Sequence, residues 1–137
     1  MLLAPLVLAI AAVAPLECAS TGGAVMLAKS AEAAVAKPTK STEVVKITTG
    51  SKIVLLHVKN QFSPEWQGPD EYQLLESTKT SFKAVRSHDT LLETIIFDEA
   101  VGVLLWTRMR SGSAAASVII EAYDCRAKAQ HEYSPSP

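Results

Sequence analysis

The stretch "FDEAVGVLLWTR", residues Phe97 to Arg108, decides how this chain is read. Apolar residues flank a short acidic knot, Asp98-Glu99, which passes through Ala100-Val101 to a single glycine, Gly102. Adjacent carboxylates on an extended or turning chain point in different directions, so Asp98 and Glu99 make a poor acid/base pair. They suit a hairpin loop instead: Asp favours the start of a turn, and glycine takes the position that needs a positive φ. On this reading "TIIF" and "VLLW" are antiparallel partners. In the second, Val103, Leu105, Thr107 and Met109 share one face, while Leu104, Trp106 and Arg108 share the other.

Working outward, "TIIF" extends to "LLETIIF" and "VLLW" to "VLLWTRMR", and two more segments, "SFKAVRS" and "ASVIIEAY", carry the same β texture with short linkers. Short linkers favour antiparallel pairing, because a parallel crossover takes a dozen or more residues. Upstream, "EVVKITTGSKIVLLHV" reads as two strands joined at Thr49-Gly50-Ser51. The expected fold is mainly β: an antiparallel meander of about six strands closing into a small barrel or sandwich. The breaker-rich segment between these groups, "KNQFSPEWQGPDEYQLLESTK", contains Ser63-Pro64-Glu65 and Gly68-Pro69-Asp70, both able to start a helix. One short helix is expected there, from Asp70 to Glu76.

The start of the chain differs. "MLLAPLVLAIAAVAPL", residues 1 to 16, has no charged side chain, falls short of the roughly 20 residues that span a bilayer, and is interrupted by Pro5 and Pro15. It fits the apolar region of a signal peptide, although a basic segment before it is missing, and small residues allow cleavage after Ser20 or after Ala36. The Ala-rich "AVMLAKSAEAAVAK" has high helix propensity and ends at Lys37-Pro38, where proline stops a helix. The expected division is a signal-like helix and Ala-rich lead-in over 1–36, a β domain over 37–126 with its first strand near Thr42, and a disordered tail over 127–137. The expected location is secreted or periplasmic, with membrane contact only through an uncleaved N-terminal segment. Either cut removes Cys18 and leaves Cys125 alone, read as a buried thiol rather than part of a disulfide framework.

Composition narrows the function classes. The chain has 137 residues, 48% hydrophobic and 20% charged, with a formal net charge of −1. That suits one folded domain without the basic footprint that nucleic acid or an anionic surface requires. No pair among His57, His88 and His131 has metal-ligand spacing, and no phosphate loop, dinucleotide fingerprint or nucleophile elbow is present. No metal or other cofactor is expected, and no catalytic residue is assigned. "SHDT", residues Ser87 to Thr90, sets His88 beside Asp89, but neighbours on an extended chain point apart, so it reads as a polar turn.

The residues singled out for binding are Trp66, Phe62 and Tyr72, because an aromatic on a breaker-rich connection marks a recognition surface. Three readings of function result. The first is a non-catalytic exported domain that takes a small ligand or a protein at a barrel mouth or at the Phe62–Tyr72 segment. The second is a small exported hydrolase using His88 with Asp89, or His57. The third is a structural envelope protein that assembles with copies of itself.

If the Asp98–Gly102 loop only turns the chain, the strand after it matters for the side chains it delivers to the core, in one layer with Leu104 and with Ile95 or Phe97. Trp106→Ala is then expected to cost about 3 to 5 kcal/mol and to unfold the domain partly or wholly, against less than about 0.5 kcal/mol for Glu99→Ala. Chemical denaturation of the two variants checks this.

Overall fold

A computed structural model describes residues 15–28, 35–112 and 116–126. The strands are β1 (Leu16–Ala28), β2 (Val35–Thr39), β3 (Val44–Thr49), β4 (Ile53–Asn60), β5 (Ser63–Ser77), β6 (Ser81–His88), β7 (Leu91–Asp98), β8 (Val103–Ser111) and β9 (Ala116–Asp124). From β3 to β9 each strand pairs antiparallel with the next. β1 then closes the ring, pairing with β3 through Leu16–Ala19 on one edge and with β9 through Ala19–Ala28 on the other. The result is a closed antiparallel barrel of eight strands. The ninth, β2, continues along the β3 edge of β1, from Gly23↔Thr39 to Leu27↔Val35.

The opening segment behaves as a hairpin. Asp98 Oδ1 accepts the Ala100 N–H at 2.9 Å, Asp98 O accepts the Gly102 N–H at 2.8 Å, and Gly102 has φ +76°. β7 and β8 leave this turn in register from Asp98↔Val103 to Leu91↔Arg110. Trp106 is 5% exposed, faces inward with Leu104, and lies opposite Ile95.

Three expectations are corrected. The strand count is nine rather than about six, because β1, β2 and β5 were not read as strands. Asp70–Glu76 is no helix: it lies within β5, where Ile53↔Gln73, Val54↔Tyr72 and Leu55↔Glu71 supply ladder partners that outweigh the local helix signals. The Ala-rich lead-in likewise gives strand where the structure describes it, Ala24–Ala28 in β1 and Val35–Lys37 in β2, since barrel pairing overrides alanine's helix propensity. The apolar segment 1–14 and the tail 127–137 lie outside the described residues.

Closure depends on a tight approach of β1 to β9. A bulge between Ser20 and Gly22 shifts the register, and at Gly23 a Cβ would stand 2.2 Å from the Ile120 carbonyl oxygen, so only glycine fits. Beside it, Cys18 and Cys125 form a disulfide with Cα atoms 4.1 Å apart across 107 residues of sequence. Cys125 is therefore no lone thiol, and both cysteines belong to the core. A cut after Ser20 would take Cys18 and the β3-pairing half of β1 away, and a cut after Ala36 would remove all of β1.

Inward residues stack in layers along the register. Phe82, Phe97, Leu104 and Tyr123 form one; Ala84, Ile95, Trp106 and Glu121 the next; Arg86, Glu93, Arg108 and Ile119 a third; and the register ends at a rim of His88, Leu91, Arg110 and Ser117, where His88 and Arg110 are exposed. The apolar end is completed by Val45, Ile47, Val54, Leu56 and Tyr72. The barrel interior thus grades from hydrocarbon to charge towards one mouth.

In the chain-entropy picture, a bridge spanning this much sequence stabilises a fold by about 2 to 5 kcal/mol. Cys125→Ser is expected to lower the melting temperature of the oxidised protein and to leave the reduced protein's melting temperature nearly unchanged. Thermal melts with and without reductant test this; equal melting of the oxidised variant and wild type would contradict it.

Candidate functional site

The charged layers line a cavity of about 270 Å³ at the barrel mouth. β5 brings Asp70, β6 Arg86, β7 Glu93, and β8 Trp106, Arg108 and Arg110; Leu91, Ser117 and Ile119 complete the wall. Strand alternation delivers them. Each charged side chain is in phase with the inward apolar residues of its own strand, as Arg86 is with Ala84, Glu93 with Ile95, Arg108 with Trp106 and Glu121 with Tyr123.

Glu93 is the hub, 4% exposed. Its Oε1 accepts the Tyr72 hydroxyl at 3.0 Å and the Trp106 indole N–H at 3.2 Å, and its Oε2 faces Arg86 Nε at 3.5 Å. Arg86 also reaches out to Asp70, Nη1 to Oδ1 at 3.0 Å. Burial works against the Arg86 charge, but Asp70 and Glu93 outweigh it and hold the guanidinium more firmly protonated than usual. Burial, followed by the Glu93 charge and hydrogen bond, pushes the Tyr72 hydroxyl far above its ordinary range, so it stays a donor.

A second group lies on β8, on β9 and at Glu43, just before β3. Arg108 pairs with Glu121 and stacks over Trp106, 4.4 Å from the ring centroid. The Tyr123 hydroxyl donates to Glu43 and lies 3.3 Å from Glu121 Oε2. One hydroxyl hydrogen cannot serve two carboxylates fully, and burial with the nearby Glu121 charge raises the Glu43 carboxyl above its usual range, against the lowering effect of Tyr123 and Arg108. Tyr123 is raised strongly, first by burial and then by its bond to Glu43. Beside this network, Arg108 Nε is buried with no hydrogen-bond partner.

The residues expected from sequence are divided. Tyr72 lies inside the barrel as a partner of Glu93. Phe62 and Trp66 lie outside, on a shallow depression shared with Ser63, Pro64, Glu65 and Gln67. Phe62 tops the β4–β5 turn at 85% exposure, where Asn60 Oδ1 accepts the Phe62 and Ser63 N–H groups. The Trp66 ring is engaged by Lys46 and Lys59, whose ammonium groups lie 4.6 and 4.5 Å from its centroid. His88 and Asp89 are exposed at the β6–β7 turn, 3.5 Å apart, and His57 sits on β4 pointing away from the inward Val54 and Leu56. Among the described residues, no cluster of three or more His, Cys, Asp or Glu is arranged to hold a metal ion.

The sequence reading missed Asp70, Arg86, Glu93 and Glu121. The available signal was a charge at the apolar, inward phase of each of β5, β6, β7 and β9. No family model, no curated protein and no solved structure matches this chain.

Because the folded-state pKa of Glu43 is raised above its unfolded value, folding favours the protonated form. That contribution is fully present below the unfolded pKa and is lost as pH rises through the folded one. Glu43→Gln, which keeps an acceptor for Tyr123 without the charge, is expected to raise the melting temperature at neutral pH, with the gain vanishing below about pH 4. Melts across this range measure it.

Proposed function

We propose that this chain is an exported, non-catalytic barrel that binds a small molecule in the mouth cavity. The observation that carries the reading is the cavity itself: polar groups from β5, β6, β7 and β8 converge on a recess with apolar wall positions at Leu91 and Ile119 and an indole, Trp106, in its lining. Binding sites are concave, with a few placed polar groups among apolar ones, and a volume of about 270 Å³ suits a ligand of fragment size. Tying Glu93 to three donors, from β5, β6 and β8, fixes the lining before any ligand arrives, which lowers the ordering cost of binding.

Export is supported by the apolar start and by the Cys18–Cys125 disulfide, which suits an oxidising compartment. The barrel needs Cys18 and β1, so the exported form in this reading retains both. No observation favours the hydrolase reading to the same degree: His88 and Asp89 face solvent, and among the described residues no hydrogen bond joins His88 to a hydroxyl or thiol.

A second reading, self-association, is favoured by the outer face of β7, β8, β9 and β1. Ile96, Leu105, Met109, Ile120 and Met26 are large, apolar and exposed there, and the Thr94 and Thr107 hydroxyls between them bond to each other. Uncharged patches of this kind let identical copies meet without like-charge repulsion. The solution mass as a function of concentration reports on it.

Ligand binding is tested by titrating the protein with a fragment set while following indole fluorescence. Fragments that reach the mouth are expected to perturb Trp106, and Trp66→Phe is expected to leave that response in place. A response that disappears with Trp66→Phe would move binding to the outer depression at Phe62.

A further inference from the structure

We propose that the mouth cavity is a site for a small organic carboxylate, its anionic end held by Arg110 and Ser117 and its apolar body laid against Leu91 and Ile119. This rests on the mouth being a ligand site and adds the class of ligand.

The assignment follows from which hydrogen-bonding groups are already taken. Each carboxylate in or under the cavity has donors. Asp70 takes Arg86; Glu93 takes Tyr72, Trp106 and Arg86; Glu121 takes Arg108. The wall that remains open is on β8 and β9. Arg108 is already committed there, with Nη2 on Glu121 and its guanidinium over the Trp106 ring. Arg110, one inward position further along β8, makes no ion pair or hydrogen bond with the described residues and lies directly opposite Ser117 on β9 and Leu91 on β7. A guanidinium has only donors and a hydroxyl can turn to donate, so the group that completes this wall is an acceptor.

The three arginines and three carboxylates named here are formally neutral together, but they are not evenly paired: Arg86 is shared by Asp70 and Glu93, Arg108 pairs with Glu121, and among the described residues Arg110 has no ion pair. A carboxylate has the planar, two-oxygen geometry that a guanidinium binds best. Leu91 and Ile119, one layer apart on either side of β8, border the same recess and give a hydrocarbon body somewhere to rest. A volume of about 270 Å³ equals about nine water volumes, room enough for benzoate.

The test uses four probes on the full oxidised chain near neutral pH, by calorimetry and by fluorescence: benzoate, the neutral benzyl alcohol, the cationic benzamidine and inorganic phosphate. Benzoate is expected to bind most tightly. Arg110→Gln, at an exposed position, is expected to keep the wild-type melting temperature and to weaken benzoate about tenfold, the scale of one charge-assisted hydrogen bond. Ser117→Ala is expected to weaken it by less, in the same direction. The proposal is overturned if benzamidine or benzyl alcohol binds as tightly as benzoate, or if Arg110→Gln folds and binds benzoate unchanged; in those cases the mouth remains a ligand site of another class. Phosphate binding as tight as benzoate would overturn the role of the apolar wall. If no probe of any charge binds, the reading of the mouth as a ligand site fails together with the ligand class.

Discussion

The pairing of β1 with β9 is the constraint on which the rest of the molecule depends. Without it, β3 to β9 form an open meander with a free edge at each end, and inward side chains on both edges would meet water. With it, the ladder from Ala19↔Asp124 to Ala28↔Ala116 removes both edges and encloses the interior. This contact is also the least local in the fold, so forming it costs the most loop-closure entropy. The sequence meets that cost in three ways at one place: a long register, a glycine where the backbones nearly touch, and a disulfide that shortens the unfolded chain's search.

Closure explains why charge can sit inside. In an open sheet Arg86, Glu93 and Arg108, already side by side on β6, β7 and β8, would lie on a solvated face. In the ring Glu93 is 4% exposed with Arg86 as its counter-charge, while Arg108 pairs with Glu121, one layer away on β9. Removing one partner from such a row strands the other in a low dielectric, whereas replacing the row with hydrocarbon often leaves stability unchanged or better. A wholly apolar layer would also have filled the mouth. The polar layer is therefore hard to explain by stability, and its retention is better explained by the recess it creates.

Much of the fold was legible because five strands carry their own signals. The Gly50 and Gly102 turns, β-branched runs and short linkers identify β3, β4, β6, β7 and β8, and β9 follows from "ASVIIEAY". The strands that escaped are those whose conformation is imposed by neighbours. β1 is rich in Ala and Gly, and β2 contains Lys37-Pro38, so neither has intrinsic β preference; both are strands because β9 and β1 offer ladders to them. In β5, the prolines and glycine that mark breaks in an isolated chain fall at bulges, where the register shifts between Leu56 and Val58. The site was illegible for a related reason. Trp66 drew attention as an aromatic on a loop, but β5 turns it onto the outer face beneath two lysines, while the cavity is made by charges that each look like an ordinary solvated residue in one strand and acquire meaning only when four strands are aligned.

That alignment also separates two kinds of residue in the mouth. Glu93, Tyr72 and Trp106 have their polar atoms turned towards one another, so their hydrogen bonds are complete within the protein and they serve as a fixed frame. Arg110 stands apart from that frame, exposed at the rim with no hydrogen bond or ion pair among the described residues. Its guanidinium stays hydrated, so leaving its donors free costs the fold little. It lies opposite Ser117 on β9 and borders the recess with it, so an acceptor from outside can be met on this wall without breaking a bond the fold already makes.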